Sequence, residues 1–284
     1  MRQSLMGTAD TCLKRVEFIL QDPEYRSNVN RAMGTGYHAG LAEHYMGLMR
    51  GEPTTWEAVV RAAEDAFHED VEKAGNRFSW VYQPKGSRIE EKIFSPEEAV
   101  ELMTSTLFRY FDEGHSWDQQ PIWKEAGLFV VAVELEFNQD FPEAPGWRRG
   151  GTIDLVLATP DGWYTLVDHK TAKKKWSRDK GTPTNPQFGW YMQAWSQHAN
   201  VPLGRINTFY DIMSFDGHFE RRQVFRTPHQ VELTIRRAAE LANLIDRGGP
   251  FPANPGSFLC HKEWCDFWSE CPYGVGLKFD EYAA

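Results

Sequence analysis

Residues 150–171 read GGTIDLVLATPDGWYTLVDHKT. Two β-prone runs, 151–158 and 162–171, flank Thr159-Pro160-Asp161-Gly162, a group of turn-forming residues. The pattern predicts a hairpin. Side chains alternate along a strand, so Asp168 and Lys170 leave one face together. Whether Asp154 joins them depends on the register. A two-residue loop at Pro160-Asp161 sets Asp154 opposite Val167, with Asp168 on the other face. A three-residue loop, Pro160-Asp161-Gly162, sets Asp154 opposite Asp168. Proline first and glycine last suit a type I turn closed by a left-handed glycine, which favours the longer loop. Opposed or diagonal residues then lie about 5–8 Å apart. Two carboxylates that close repel unless a cation lies between them, and a divalent ion takes hard oxygen ligands. Such an ion can polarise a phosphate and acidify a bound water. Lys170 would orient that water or stabilise a pentavalent transition state. Asp-x-Lys alone is a common tripeptide. Gly-x-Ile-Asp, a turn, and then apolar-apolar-Asp-x-Lys-Thr is far more specific.

Around this hairpin the chain of 284 residues changes character. Upstream it is helical. Asp10 or Thr11 could cap a helix through LKRVEFIL, and GYHAGLAEHYMGLM repeats Tyr37, Leu41 and Tyr45 at helical spacing. Residues 55–75 and 95–114 read as two more amphipathic helices, the second opened by Ser95, Pro96 and two acids. LFVVAVELEF at 128–137 is β-rich and, with the hairpin, makes an antiparallel meander. Glu134 and Glu136 lie there on one side by alternation, so either could add an acidic group. Asn185-Pro186 starts a helix through QFGWYMQAWSQHA. Two strands follow around Asp216-Gly217, then a helix over 228–247 ended by Gly248-Gly249. The tail from Pro250 is irregular.

The hairpin resembles the core of the PD-(D/E)XK nuclease superfamily, and in particular its RecB-like exonuclease branch. Two further motifs of that branch stand in order: Gly34-x-x-x-His38 on an N-terminal helix and Gln187-x-x-x-Tyr191 on the helix after the hairpin. The resemblance implies His38, Asp154 and Asp168 as ligands of Mg²⁺ or Mn²⁺, completed by the main-chain carbonyl of His169. Lys170 is then the catalytic lysine. Gln187 and Tyr191, four apart on one helix face, position the DNA strand or brace Lys170. The implied fold is α/β: a restriction-endonuclease-like mixed sheet flanked by helices, with an iron–sulfur-stapled terminal region. The chain divides into N-terminal helices (1–50), a helical insertion (51–127), a nuclease core (128–247) and a cysteine region (248–284), all one nuclease domain. The implied activity is that of a metal-dependent DNA exonuclease favouring single-stranded ends, in recombination, repair or phage DNA processing.

There are four cysteines: Cys12, Cys260, Cys265 and Cys271. Grouped thiols in a reducing compartment more often bind a metal than form disulfides. Three near one end of the chain and one near the other resemble the staple of AddB-type and CRISPR-associated RecB-like nucleases, which implies a [4Fe–4S] cluster. The four residues between Cys260 and Cys265 depart slightly from the tightest family pattern. A zinc site is the alternative, with His261 able to replace one thiol.

The run after the hairpin places Lys173, Lys174, Lys175 and Trp176 where a scissile strand would pass, as phosphate and base contacts. Arg148 and Arg149 could extend that patch, whereas Arg221-Arg222 and Arg236-Arg237 read as surface. A net charge of −9 runs against a nucleic-acid binder overall, although a cation site itself needs carboxylates. No run of residues is apolar enough to span a membrane, and no secretory signal opens the chain. A cytoplasmic protein of a bacterial or phage-infected cell is expected, without a membrane partner. Two other readings stay open: a non-catalytic DNA-binding module, and a subunit of a larger helicase–nuclease or CRISPR adaptation complex.

Overall fold

The computed structural model describes residues 1–22, 27–83, 92–177, 185–257, 259–261, 265 and 267–276. Two short helices open the chain, α1 (Gln3–Thr11) and α2 (Leu13–Gln21), and a two-residue strand, β1 (Ser27–Asn28), leads into the long helix α3 (Val29–Arg50). Then come α4 (Trp56–Ala74), the short strands β2 (Phe78–Ser79), β3 (Val81–Gln83) and β4 (Lys92–Ile93), and the helices α5 (Pro96–Asp112) and α6 (Pro121–Glu125). The main sheet is built from β5 (Phe129–Asp140), β6 (Arg148–Ala158), β7 (Tyr164–Ala172), β8 (Ile206–Ser214) and β9 (Phe219–Gln223). Helix α7 (Gln187–Ala199) links β7 to β8, α8 (Pro228–Asp246) follows β9, and α9 (Pro272–Gly276) lies in the tail.

Capping chemistry sets most helix starts. Ser95 and Thr227 each form a reciprocal capping box, with Glu98 and Gln230. Asn28 caps α3, and Asn185 Oδ1 accepts from Gln187 N at 2.9 Å at the start of α7. The N-terminus departs from expectation. Asp10 and Thr11 lie within α1, and α2 starts after an extended Cys12 with no side-chain cap. Asp10 pairs with Arg237 instead.

The sheet runs β5-β6-β7-β8-β9. All its pairs are antiparallel except β7 with β8, which are parallel across the α7 crossover. The mixed sheet and antiparallel meander therefore match the sequence reading. So does the hairpin register: Leu155 faces Val167 and Ala158 faces Tyr164. Thr159 N donates to the Trp163 carbonyl, closing a loop of Pro160, Asp161 and Gly162. Gly162 has φ +83°, which a side chain would resist.

Helices cover both faces. On one, α7 and α8 pack Phe188, Trp190, Trp195, Ile235 and Ala238 onto Ile153, Val156 and Leu166. On the other, α3, α4 and α5 pack Tyr37, Tyr45, Phe67, Met103 and Leu107 onto Leu155, Leu157 and Val167. The segment 51–127 therefore joins α3 in forming one of the three layers. It is also not purely helical, since it holds β2, β3 and β4.

Candidate metal centre

Three elements meet where the β5-β6-β7 meander passes α3. Helix α3 supplies His38, β5 supplies Glu134 and β6 supplies Asp154. One ligand atom from each lies within 4.8 Å of the others, the only such group of three among the described residues. His38 Nδ1 is 3.4 Å from Asp154 Oδ2. Gly34, one turn before His38, lies close against β7: a Cβ there would sit 3.2 Å from Thr171 Oγ1.

Asp168 projects beside this group, one step along the register from the Leu155–Val167 pair. Its carboxylate is buried, pairs with the Lys170 ammonium and accepts from Gln187 Nε2. Gln187 Nε2 also lies 3.1 Å from the Tyr191 hydroxyl, and Gln187 Oε1 accepts from Tyr210 at 3.3 Å. Gln187 and Tyr191 thus share a helix face as expected. Gln187, however, bonds Asp168 rather than Lys170, Tyr191 bonds Gln187, and both residues are buried.

Crowded acids in a poorly solvated pocket hold protons. Glu134 is pushed up to about 8, first by burial and then by Asp154, Asp168 and Glu136. Asp154 and Asp168 are pushed up to about 6, burial dominating, with Lys170 opposing the rise. His38 is pushed down to about 4 by burial and then by Lys170, so its ring is neutral and able to donate a lone pair. Two carboxylates and a neutral imidazole form a nitrogen–oxygen donor set that suits a divalent cation such as Mg²⁺ or Mn²⁺. A bound cation would also relieve the repulsion that raises Glu134.

His169 links the pieces. Its main-chain N–H donates to Asp154 Oδ2 at 2.8 Å, and its main chain hydrogen-bonds the His38 ring. Its own ring points away into the α3–α5 layer, stacked on Tyr45 at 6.0 Å and 13°. Both ring nitrogens are buried without a hydrogen-bond partner in the protein.

A cavity of about 590 Å³ opens from His38 and Glu134 along α3, over Gly34, Ala39 and Ala42, with Ala66 of α4 on its wall. Glu136 lines a different cavity, with Arg2 and Arg148. Alternation along β5 left Glu134 and Glu136 equivalent, and the structure separates them. Glu134 has φ +46°, rare for a residue with a side chain. Around it Val133 and Leu135 fall in different core layers, as do Leu155 and Ile153 opposite. The kink breaks the two-residue period that the sequence argument relied on.

A family model described as the PD-(D/E)XK nuclease superfamily matches residues 12–272. The chain belongs to the PD-(D/E)XK nuclease superfamily. Its mixed sheet flanked by helices fits that fold, and its His–Glu–Asp group is consistent with a metal-dependent nuclease. Among solved structures, this PD-(D/E)XK chain is similar to SSO0001, with 13% identity over 95% of both chains and a TM-score of 0.38. A second is a candidate exonuclease from Eubacterium rectale, with 11% identity over 86% of both chains and a TM-score of 0.38. No curated protein sequence matches the chain. Among the described residues, no helix is long and apolar enough to cross a membrane.

The basic run that follows the motif lysine is only partly open. Lys174 and Lys175 are exposed. Lys173 donates to the Tyr82 carbonyl, and Trp176 is half-buried with its edge toward Tyr210. Arg149 does not extend the patch: it is buried and bonded to Gln139 and Gln197. Arg221 is not a surface residue either. It grips buried Asp211 through Nε and Nη2, both at 2.7 Å, and lies 3.7 Å over the Trp117 ring. Tyr110 and Trp117 complete that carboxylate, each at 3.0 Å. Arg236 pairs with exposed Glu232 on α8, as a surface residue would.

The four cysteines line one pocket, together with Phe18, Phe267 and Trp268. All are free thiols. Burial and then the three neighbouring cysteines push the Cys260 thiol up. Phe18 stacks on Phe267 at 5.1 Å, and Asn254 Nδ2 donates to the Thr11 carbonyl at 3.0 Å, so the two ends of the chain meet around these sulfurs. No three of the sulfurs lie within 4.8 Å of one another. A single zinc ion, with bonds of about 2.3 Å, would require a tighter group. The spacing of the sulfurs gives no sign of an iron–sulfur cluster either.

Proposed function

We propose that this chain is a divalent-metal-dependent deoxyribonuclease of the RecB-like type, which removes nucleotides from DNA ends, favours single strands and serves recombination, repair or phage DNA processing. The observation that carries the reading is the convergence of His38, Glu134 and Asp154 beside the Asp168–Lys170 pair. His38, Glu134, Asp154 and Asp168, with the His169 carbonyl, would hold Mg²⁺ or Mn²⁺. When bound, the ion supplies charge to polarise the phosphodiester and to acidify a water.

The chain's own groups do the rest. Asp168 keeps the Lys170 ammonium at the centre, where its charge opposes the charge that builds on phosphorus oxygens during attack. Gln187, held by Tyr191 and Tyr210, fixes the Asp168 carboxylate from behind. Neutral His38 and the N–H of His169 orient Asp154. The cavity beside His38 and Glu134 is open to the surface, so a strand could reach the centre.

In this reading Cys12, Cys260, Cys265 and Cys271, which line one pocket, would hold a [4Fe–4S] cluster that ties the two chain ends together. Its role in this reading is structural. End-labelled single- and double-stranded DNA, incubated with Mg²⁺, with Mn²⁺ or with EDTA, tests the whole proposal. Metal-dependent shortening from the ends, faster on single strands, is expected. Absence of cleavage under every condition would reject it.

A further inference from the structure

The β3–β4 hairpin is fastened to both elements that build the centre. The Tyr82 carbonyl accepts from Asn30 Nδ2 at 3.0 Å, about two turns ahead of His38 on α3. The same carbonyl accepts from the ammonium of Lys173, three residues beyond Lys170. The inner face of the hairpin is packed: Phe94 is buried and stacks on Tyr82 with centroids 4.2 Å apart and planes 10° apart. Lys92 and Ile93, just before Phe94, are both exposed.

Two cations gather on this aromatic pair. Lys173 Nζ lies 4.8 Å from the Tyr82 centroid. Lys92 Nζ lies 5.6 Å from Tyr82 and 4.6 Å from Phe94. The negative faces of the rings hold both ammoniums, and neither forms an ion pair with a described carboxylate. Exposed Lys174 and Lys175 continue the run. A chain of net charge −9 therefore keeps a group of lysines beside its acidic centre. Positive charge on aromatic surface, continuous with a nuclease centre, is the chemistry that tracks a nucleic-acid backbone.

We infer that the β3–β4 hairpin is a strand guide: Lys92 and Lys173 hold neighbouring phosphates of a single-stranded DNA whose end lies in the metal centre. The inference rests on the nuclease reading above. Its test measures binding of a fluorescent oligothymidine across a salt series, with Ca²⁺ replacing Mg²⁺ to hold back cleavage. Lys92→Ala is expected to reduce the slope of log affinity against log salt by about 0.7, the value of one phosphate contact on a single strand. Lys92→Glu is expected to weaken binding about tenfold and to raise KM for cleavage more than it lowers kcat. Because Lys92 is exposed, both variants should melt at the wild-type temperature. If the wild type binds and cleaves while both variants keep its affinity and salt slope, the strand guide is wrong and the nuclease reading stands. If the wild type neither binds oligothymidine nor cuts DNA, both fall together.

Discussion

The main-chain N–H of His169 donates to Asp154 Oδ2 at 2.8 Å while the ring of the same residue lies stacked against Tyr45 on the other side of the strand. One residue thus anchors the acidic centre to the α3–α5 layer. The backbone does the polar part and the ring only fills space, since neither nitrogen meets a protein partner. His169→Phe should therefore keep cleavage and match or exceed wild-type stability, because a buried polar group without a partner is removed. His169→Ala should lose about 3 kcal/mol through the cavity it leaves. Urea unfolding checks both. A large loss in His169→Phe would show that the ring nitrogens matter.

Glu134 predicts a pH effect. Its folded carboxyl is pushed up to about 8, from an ordinary 4.5. Between those values the folded, metal-free protein holds a proton that the unfolded chain has released. That contribution to stability is complete below the unfolded value and is lost as pH rises through about 8. His38 runs the opposite way, with a folded value of about 4 against 6.5, so its effect is confined to lower pH. Asp154 and Asp168 are half ionised at about pH 6 and add a loss of the same sign around that value. From about pH 7 upward the Glu134 loss dominates. Melting temperature in EDTA should fall across that range, and Glu134→Gln should flatten the fall. Mg²⁺ affinity should tighten over the same range as the Glu134 proton leaves. An identical slope in wild type and Glu134→Gln would remove Glu134 from the centre.

Arg221 predicts a stability effect far from a surface arginine's. Asp211 is buried, Arg221 is largely covered, and the two are bonded twice. Arg221→Ala should lose about 3–5 kcal/mol, because it leaves a buried charge without its partner. Asp211→Leu combined with Arg221→Met should recover much of that loss. A loss within about 0.5 kcal/mol for Arg221→Ala, typical of exposed positions, would contradict the buried network.

How far the residues announced this structure follows from the range of each interaction. The hairpin was legible because turn chemistry is local: Pro160 and Gly162 alone select the three-residue loop and so bring Asp154 opposite Asp168. His38, Gln187 and Tyr191 were reached through spaced motifs. Glu134 was not separable from Glu136, because the choice depends on a kink at φ +46° that no pattern of apolar residues encodes. Arg221 was misread for a related reason. Two adjacent arginines look solvated until β8, α5 and the turn after α5 bring Asp211, Tyr110 and Trp117 around one of them, and the bonds of Tyr110 and Trp117 to Asp211 span 101 and 94 residues of sequence. The helical N-terminus was legible but its division was not, because Asp10 and Thr11 fall inside α1, whose short apolar face has Met6 as its buried residue, and the break comes at Cys12.

The cysteine pocket predicts a colour. Protein purified without oxygen should be brown and contain iron. Cys12→Ser should lose the iron and melt at lower temperature, since it frees the N-terminal helices from the tail. A colourless protein carrying zinc would replace the cluster with the simpler metal.

The most direct measurement is single-turnover hydrolysis of end-labelled single-stranded DNA by wild type, Asp154→Ala and Lys170→Ala, with Mg²⁺ and with EDTA. The account predicts cleavage by the wild type only with metal, and losses of about 10²-fold or more in each variant at unchanged far-ultraviolet circular dichroism. Cleavage that survives in Lys170→Ala and in Asp154→Ala at wild-type rate would place the chemistry elsewhere in the molecule.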